Sequence, residues 1–60
     1  MPVITIQMAE GKTVEQKQRV ASECTQSIAE SFGVDPAAVI VLFQELPLES
    51  IAKGGQLRSR

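Results

Sequence analysis

The sequence predicts an α/β (α+β) chain, a short β-α-β unit with parallel strands and a C-terminal β-hairpin, oligomeric in its working form. Three observations lead there. Residues 2–8 alternate between two faces, residues 20–32 carry apolar side chains at helical spacing, and residues 39–43 form an unbroken apolar run rich in β-branched side chains. Strand, helix and strand with short joints make one right-handed crossover, so the two strands lie parallel. The 60 residues allow one domain, 1–60. A monomer of this size buries only about 60% of the surface its unfolded chain exposes. A single cysteine and no histidine leave no disulfide or metal cluster to staple it. Association is then the plainest source of further core.

In the first segment Ile4, Ile6 and Met8 point one way and Val3, Thr5 and Gln7 the other, a period-2 strand with one fully apolar face. Glu10-Gly11-Lys12 breaks the pattern with a glycine that permits a tight turn. Thr13 begins a helix, and Gln16 three positions on completes a capping box. Val20, Ala21, Cys24, Ile28 and Phe32 form its apolar stripe. Glu15 and Arg19 stand four apart on a polar face, in the favourable order. Gly33 supplies the stop. Residues 34–38 read as a turn with Asp35 capping and Pro36 at the first helical position. Residues 39–43 then read as a strand buried on both faces. Pro47 argues against strand in the tail. Gly54-Gly55 marks a hairpin with arms at 51–53 and 56–58, expected to pack on a neighbouring subunit.

Charge excludes several functions. Six Lys and Arg face seven Asp and Glu, a balance of −1, so no basic stripe exists to neutralise phosphates and no nucleic-acid partner is expected. No apolar run approaches the roughly 20 residues of a membrane span, and the opening residues lack the basic start of a secretory signal. A lone Cys24 suits a reducing compartment, so a cytoplasmic location is expected.

The chain has no His, Tyr or Trp. A triad with a histidine base is impossible, and neither a nucleotide loop nor a zinc pattern is present; no cofactor is expected. What remains is a few carboxylates, three lysines, Cys24 and the amino terminus. Methionine before a small residue such as proline is ordinarily removed in cells. Removal would leave Pro2 with a secondary amine in place of an amide. An amine held among apolar groups and near cations is disfavoured in its charged form, and a base poised near pH 7 is well matched to moving protons.

From residue 2 onward, Pro2, the alternating strand, Glu10-Gly11, Glu15-Gln16-Lys17, the strand through Glu45 and the late Gly54-Gly55 together resemble the 4-oxalocrotonate tautomerase family over nearly the whole chain. In that family an N-terminal proline opens a strand that runs into a Glu-Gly-Arg turn and a helix containing Glu-Gln-Lys. The resemblance implies a tautomerase-like fold paired into dimers and a homo-hexamer built as a trimer of dimers. It implies a site between subunits, and keto–enol tautomerisation of a small-molecule unsaturated oxo-acid substrate with Pro2 as the catalytic base. Cationic side chains would hold the substrate carboxylate and steady the dienolate charge.

The departures from the family pattern bear on the site. Lys12 stands where the family has its first arginine, and can hold a carboxylate as a point charge without the planar fork. Ile40 falls at the second arginine, and Ile51 at an aromatic wall residue; Lys12, Ile40 and Ile51 are thus the implied substrate-binding positions. Two alternatives stand beside the tautomerase: a hydratase or dehalogenase using the same proline, with Glu45 and Glu49 as the only nearby carboxylates, and a low-activity partner chain of a hetero-oligomer. Glu10 is expected to serve the turn or a subunit contact, Cys24 the core, and Phe43 packing. Arg58 and Arg60 read as a frayed, solvated tail, with the alternative that a tail arginine reaches a neighbour's site and replaces the missing cation.

Overall fold

Two parallel strands and one long helix carry the fold, and the computed structural model describes residues 2–58. The order is β1 (Val3–Ala9), α1 (Val14–Phe32), a 3-10 turn at Pro36–Ala38, β2 (Ile40–Leu46), a second 3-10 turn at Leu48–Ser50, β3 (Ala52–Lys53) and β4 (Gln56–Leu57). β1 and β2 pair in parallel with Val3 opposite Ile40 and Ala9 opposite Leu46. The ladder runs one step further at each end: the Ile40 N–H donates to the Pro2 carbonyl (3.0 Å), and the Glu10 N–H to the Leu46 carbonyl (3.0 Å). β3 and β4 form a separate antiparallel hairpin. The β-α-β unit and its hairpin are therefore present as expected. Among the described residues no helix is long and apolar enough to cross a membrane.

The helix starts where its cap dictates. Thr13 Oγ1 accepts from the Gln16 N–H (3.1 Å), and Gln16 Oε1 accepts from the Thr13 N–H (2.9 Å), so two donors that a helix start leaves orphaned are satisfied reciprocally. It stops at Gly33, whose left-handed conformation (φ 69°) suits a residue without Cβ. The Gly33 and Val34 N–H groups both turn back to the Ala29 carbonyl. Asp35 accepts from the Ala37 N–H (3.0 Å) and Pro36 opens the first 3-10 turn. Pro47 ends β2 and leads into the second. Gly54 and Gly55 both have positive φ (60° and 83°), the requirement of a two-residue hairpin turn.

Packing departs from expectation in three places. Ile4, Ile6 and Met8 of β1 and Val41 and Phe43 of β2 are half-buried on the helix side, whereas Ile40 (38%) and Leu42 (50%) are exposed on the other. β2 is thus covered on one face, not two, because one helix can cover only one side of a two-stranded sheet. The buried stripe of α1 runs through Ala21, Cys24, Ile28 and Ala29 and leaves Val20 40% and Phe32 65% exposed at its edge and end; Ala29, to which the returning chain bonds, is the buried residue. Arg19 pairs with Glu23 (3.0 Å) and not with Glu15. It has a carboxylate four residues away on either side, and both partners are largely in water, where such a choice is worth little.

The protomer is also extended. Its radius of gyration is 14.4 Å against about 10 Å for a compact chain of this length. Its accessible surface is 4752 Å² against roughly 3,800 Å² for a folded monomer of this mass. Ala29 is the one buried apolar residue among those described. Removing the helix cap is expected to be felt directly in so small a core. Thr13→Ala should lower stability by about 1 kcal/mol and Thr13→Ser by much less. Denaturant midpoints at one fixed protein concentration will check this, since association shifts the midpoint with concentration.

Candidate active site

Pro2 stands immediately before β1, held to the start of β2 by the bond from Ile40. Val3 and Ile40 face each other beside it on the open side of the sheet. Pro2 therefore has apolar neighbours, is itself half-buried, and has no carboxylate from the adjacent strand positions 3, 39, 40 and 41.

Lys12 and Ile51 belong to the other end. β1 is seven residues long, roughly 20 Å at about 3.3 Å per residue, with Pro2 before its first residue and Lys12 in the turn after its last. Lys12 is exposed and lines a cavity beneath the helix with Ile6, Met8, Val20 and Phe43. Lys17 lies in the same cavity, but its Nζ is tied to Glu45 Oε2 at 2.7 Å. That leaves Lys12 as the cation of this cavity with no carboxylate partner among the described residues. Ile51 is half-buried and lines a second cavity with Met8, Ala9, Leu46 and Leu48. Of the four implied site residues the protomer brings together Pro2 and Ile40, keeps Lys12 and Ile51 in neighbouring cavities that share Met8, and holds the two pairs a strand's length apart.

Two features went unread in the sequence. The Lys17–Glu45 pair, with 27% and 33% of the side chains exposed, removes Glu45 from the free carboxylates; the signal was Lys17 lying one turn before Ala21 on the buried stripe. Arg58 is exposed, as expected of a solvated tail, but its backbone is paired and not frayed. Its N–H donates to the Ile51 carbonyl at 2.8 Å, and it lines the same cavity as Ile51. Arg60 lies outside the described residues. Glu10 serves the turn through its backbone, Cys24 is half-buried on the helix, and Phe43 packs under it. Among the described residues no three metal-ligating side chains group together.

Comparison with known proteins agrees with this architecture. A family model described as a tautomerase enzyme matches residues 2–59. A probable tautomerase of Bradyrhizobium diazoefficiens is 45% identical over 56 residues, 93% of this chain and 84% of that protein. A 2-hydroxymuconate tautomerase of Bacillus subtilis is 30% identical over 56 residues, 93% of this chain and 90% of that protein. Among solved structures, a heterohexamer 4-oxalocrotonate tautomerase from Chloroflexus aurantiacus superposes with a TM-score of 0.92 at 32% identity, over 100% of this chain and 97% of that one.

The half-exposed Lys17–Glu45 pair is expected to orient the cavity mouth more than to stabilise the fold. A double-mutant cycle with Lys17→Ala and Glu45→Ala should give a coupling energy of no more than about 1 kcal/mol by chemical denaturation.

Proposed function

Because the chain belongs to the tautomerase family, we propose that it catalyses keto–enol proton transfer on small unsaturated 2-oxo acids, with the Pro2 amine as general base once Met1 has been removed. The observation that carries this reading is the position of Pro2: half-buried, next to the first strand, flanked by Val3 and Ile40 and by no neighbouring strand carboxylate. While Met1 is attached, the proline nitrogen is a tertiary amide with no basicity. Once it is free, apolar neighbours disfavour the protonated amine and keep part of it available as a base near pH 7.

The chemistry needs little else. The neutral proline nitrogen takes the proton of the enol hydroxyl, and the oxygen's electron pair forms the carbonyl. The carbon–carbon double bond shifts, and the carbon at its end takes the proton back from the proline ammonium. The base is regenerated and no atom is gained or lost. Lys12, a point charge in the cavity next to Ile51, offsets the negative charge that develops on the dienolate. Ile51 is an apolar wall, and Ile40 an apolar neighbour of the base.

The separation of Pro2 from Lys12 and Ile51 along β1 supports a site shared between protomers, and the extended shape and exposed sheet face support a homo-hexamer made as a trimer of dimers. One observation favours a second reading. Ile40 carries no cation, so the chain is also suited to be one of two chain types in a hetero-oligomer, the other supplying the charge. Mass spectrometry of the intact assembly from its native source separates the two: one chain type supports the homo-oligomer, two support the partnership. Hydration or dehalogenation gains nothing from the geometry, since Glu45 is engaged by Lys17 and Glu49 is exposed and lines neither the Lys12 nor the Ile51 cavity.

Intact-mass measurement is expected to find a chain that begins at Pro2. Replacing Pro2 with alanine should lower kcat/KM for ketonisation of 2-hydroxymuconate and of phenylenolpyruvate by about 100-fold, and an N-terminal extension that blocks the amine should abolish both. Equal rates in parent, Pro2→Ala and blocked protein defeat the proposed role.

A further inference from the structure

We propose that Arg58 is the carboxylate anchor of the cavity around Ile51, and that this cavity takes a monoanionic enol with an apolar body in preference to a dianion. The proposal rests on the tautomerase reading for its chemistry, but its geometry belongs to the hairpin alone. β3 and β4 pair Lys53 with Gln56 and Ala52 with Leu57, and the bond from the Arg58 N–H to the Ile51 carbonyl extends that ladder by one residue pair. Residues directly opposite in an antiparallel pair put their side chains on the same face, with Cβ atoms about 5 Å apart. Ile51 and Arg58 are accordingly side by side, and both line one cavity of about 410 Å³, within the usual size of small-ligand sites.

The rest of the lining decides what such a cavity accepts. Met8, Ala9, Leu46 and Leu48 are apolar, Gln7 is neutral, and no carboxylate lines it. The Gln7 amide nitrogen is already committed to Gln44 Oε1 at 2.7 Å. Arg58 is the cavity's one charge, and no carboxylate among the described residues pairs with it. Its guanidinium can take a carboxylate through two parallel N–H donors, which Lys12 cannot do. A ligand with one carboxylate and an apolar body satisfies both parts of the cavity. A second carboxylate would be drawn from water into an apolar lining with no cation to meet it, which is unfavourable. Lys12 lines the neighbouring cavity, which shares Met8 with this one, and leaves the carboxylate contact to Arg58.

The probes are cinnamate and its uncharged counterpart cinnamyl alcohol, titrated by calorimetry into the assembled protein and into Arg58→Ala, Arg58→Gln and Arg58→Lys. Cinnamate binding is expected to weaken about tenfold or more in the Ala and Gln variants and to recover largely with Lys. Cinnamyl alcohol should bind all four proteins alike. In turnover, Arg58→Ala should raise KM for phenylenolpyruvate by a similar factor with kcat within about twofold, and the parent should favour phenylenolpyruvate over 2-hydroxymuconate. Protein with a blocked amine should lose turnover yet bind cinnamate as the parent does. Equal cinnamate affinity in the parent and Arg58→Ala overturns the proposal. A parent that binds cinnamate through Arg58 but ketonises neither enol overturns the tautomerase reading and leaves the anion site standing.

Discussion

One helix covers one face of a two-stranded sheet, and within 60 residues nothing is left to cover the other. The alternation in β1 and β2 sorts Ile4, Ile6, Met8, Val41 and Phe43 beneath α1 and leaves Val3, Ile40 and Leu42 facing outward. Val3, Ile40 and Leu42 remain 54%, 38% and 50% exposed, so each realises only part of the roughly 1.5–3 kcal/mol that full burial of such a side chain contributes. The excess accessible surface and the large radius of gyration express the same imbalance for the whole chain. Assembly would supply the missing cover, the usual recourse of a small domain whose own core is thin.

The same strand that creates the open face also spaces the chemistry. Parallel pairing fixes Pro2 beside Ile40 at one end of the sheet and delivers Lys12, Ile51 and Arg58 to the other. A stiff seven-residue ladder cannot bend to bring its ends together. On the proposed function, a proton shuttle at Pro2 and a carboxylate grip near the hairpin would meet where one protomer's strand start reaches another's strand end. If the sheet were shorter, the parts would be nearer, but less apolar surface would remain to drive assembly. Stability and site construction thus depend on one length.

Much of this was legible in residue order. Thr13 with Gln16, Gly33, Asp35-Pro36 and Gly54-Gly55 act through local hydrogen bonds and backbone preferences, and each forms the cap or turn that its spacing implies. Periodicity told which residues of β1 face inward, because its side chains alternate between two faces of different polarity. It failed for β2, where an unbroken apolar run is equally compatible with burial by helices on both faces and with burial by another protomer. It failed for Phe32, because the end of a helix is packed by whatever chain returns over it, and that chain returns to Ala29. The Lys17–Glu45 pair joins residues 28 apart, beyond the reach of any local pattern. Arg58 is different. Counting outward from Gly54-Gly55 sets residue 51 opposite residue 58, so the neighbour of Ile51 was already written in the two-residue turn.

The placement of charge carries a further consequence for the proposed base. Two influences keep an amine neutral near pH 7, removal from water and a cation close by. With isoleucine at position 40 only the first acts from the adjacent strand, while the cations stand at the far end of the ladder in Lys12 and Arg58. The cations that would bind substrate are then also the cations that would tune Pro2, but only after protomers assemble and bring the ends of two sheets together. A free protomer would have an apolar neighbour for its amine and no charge near it; the assembled site would have both. On the proposed function, proton-transfer competence would then belong to the oligomer, and the length of the strand would couple the chemistry to assembly.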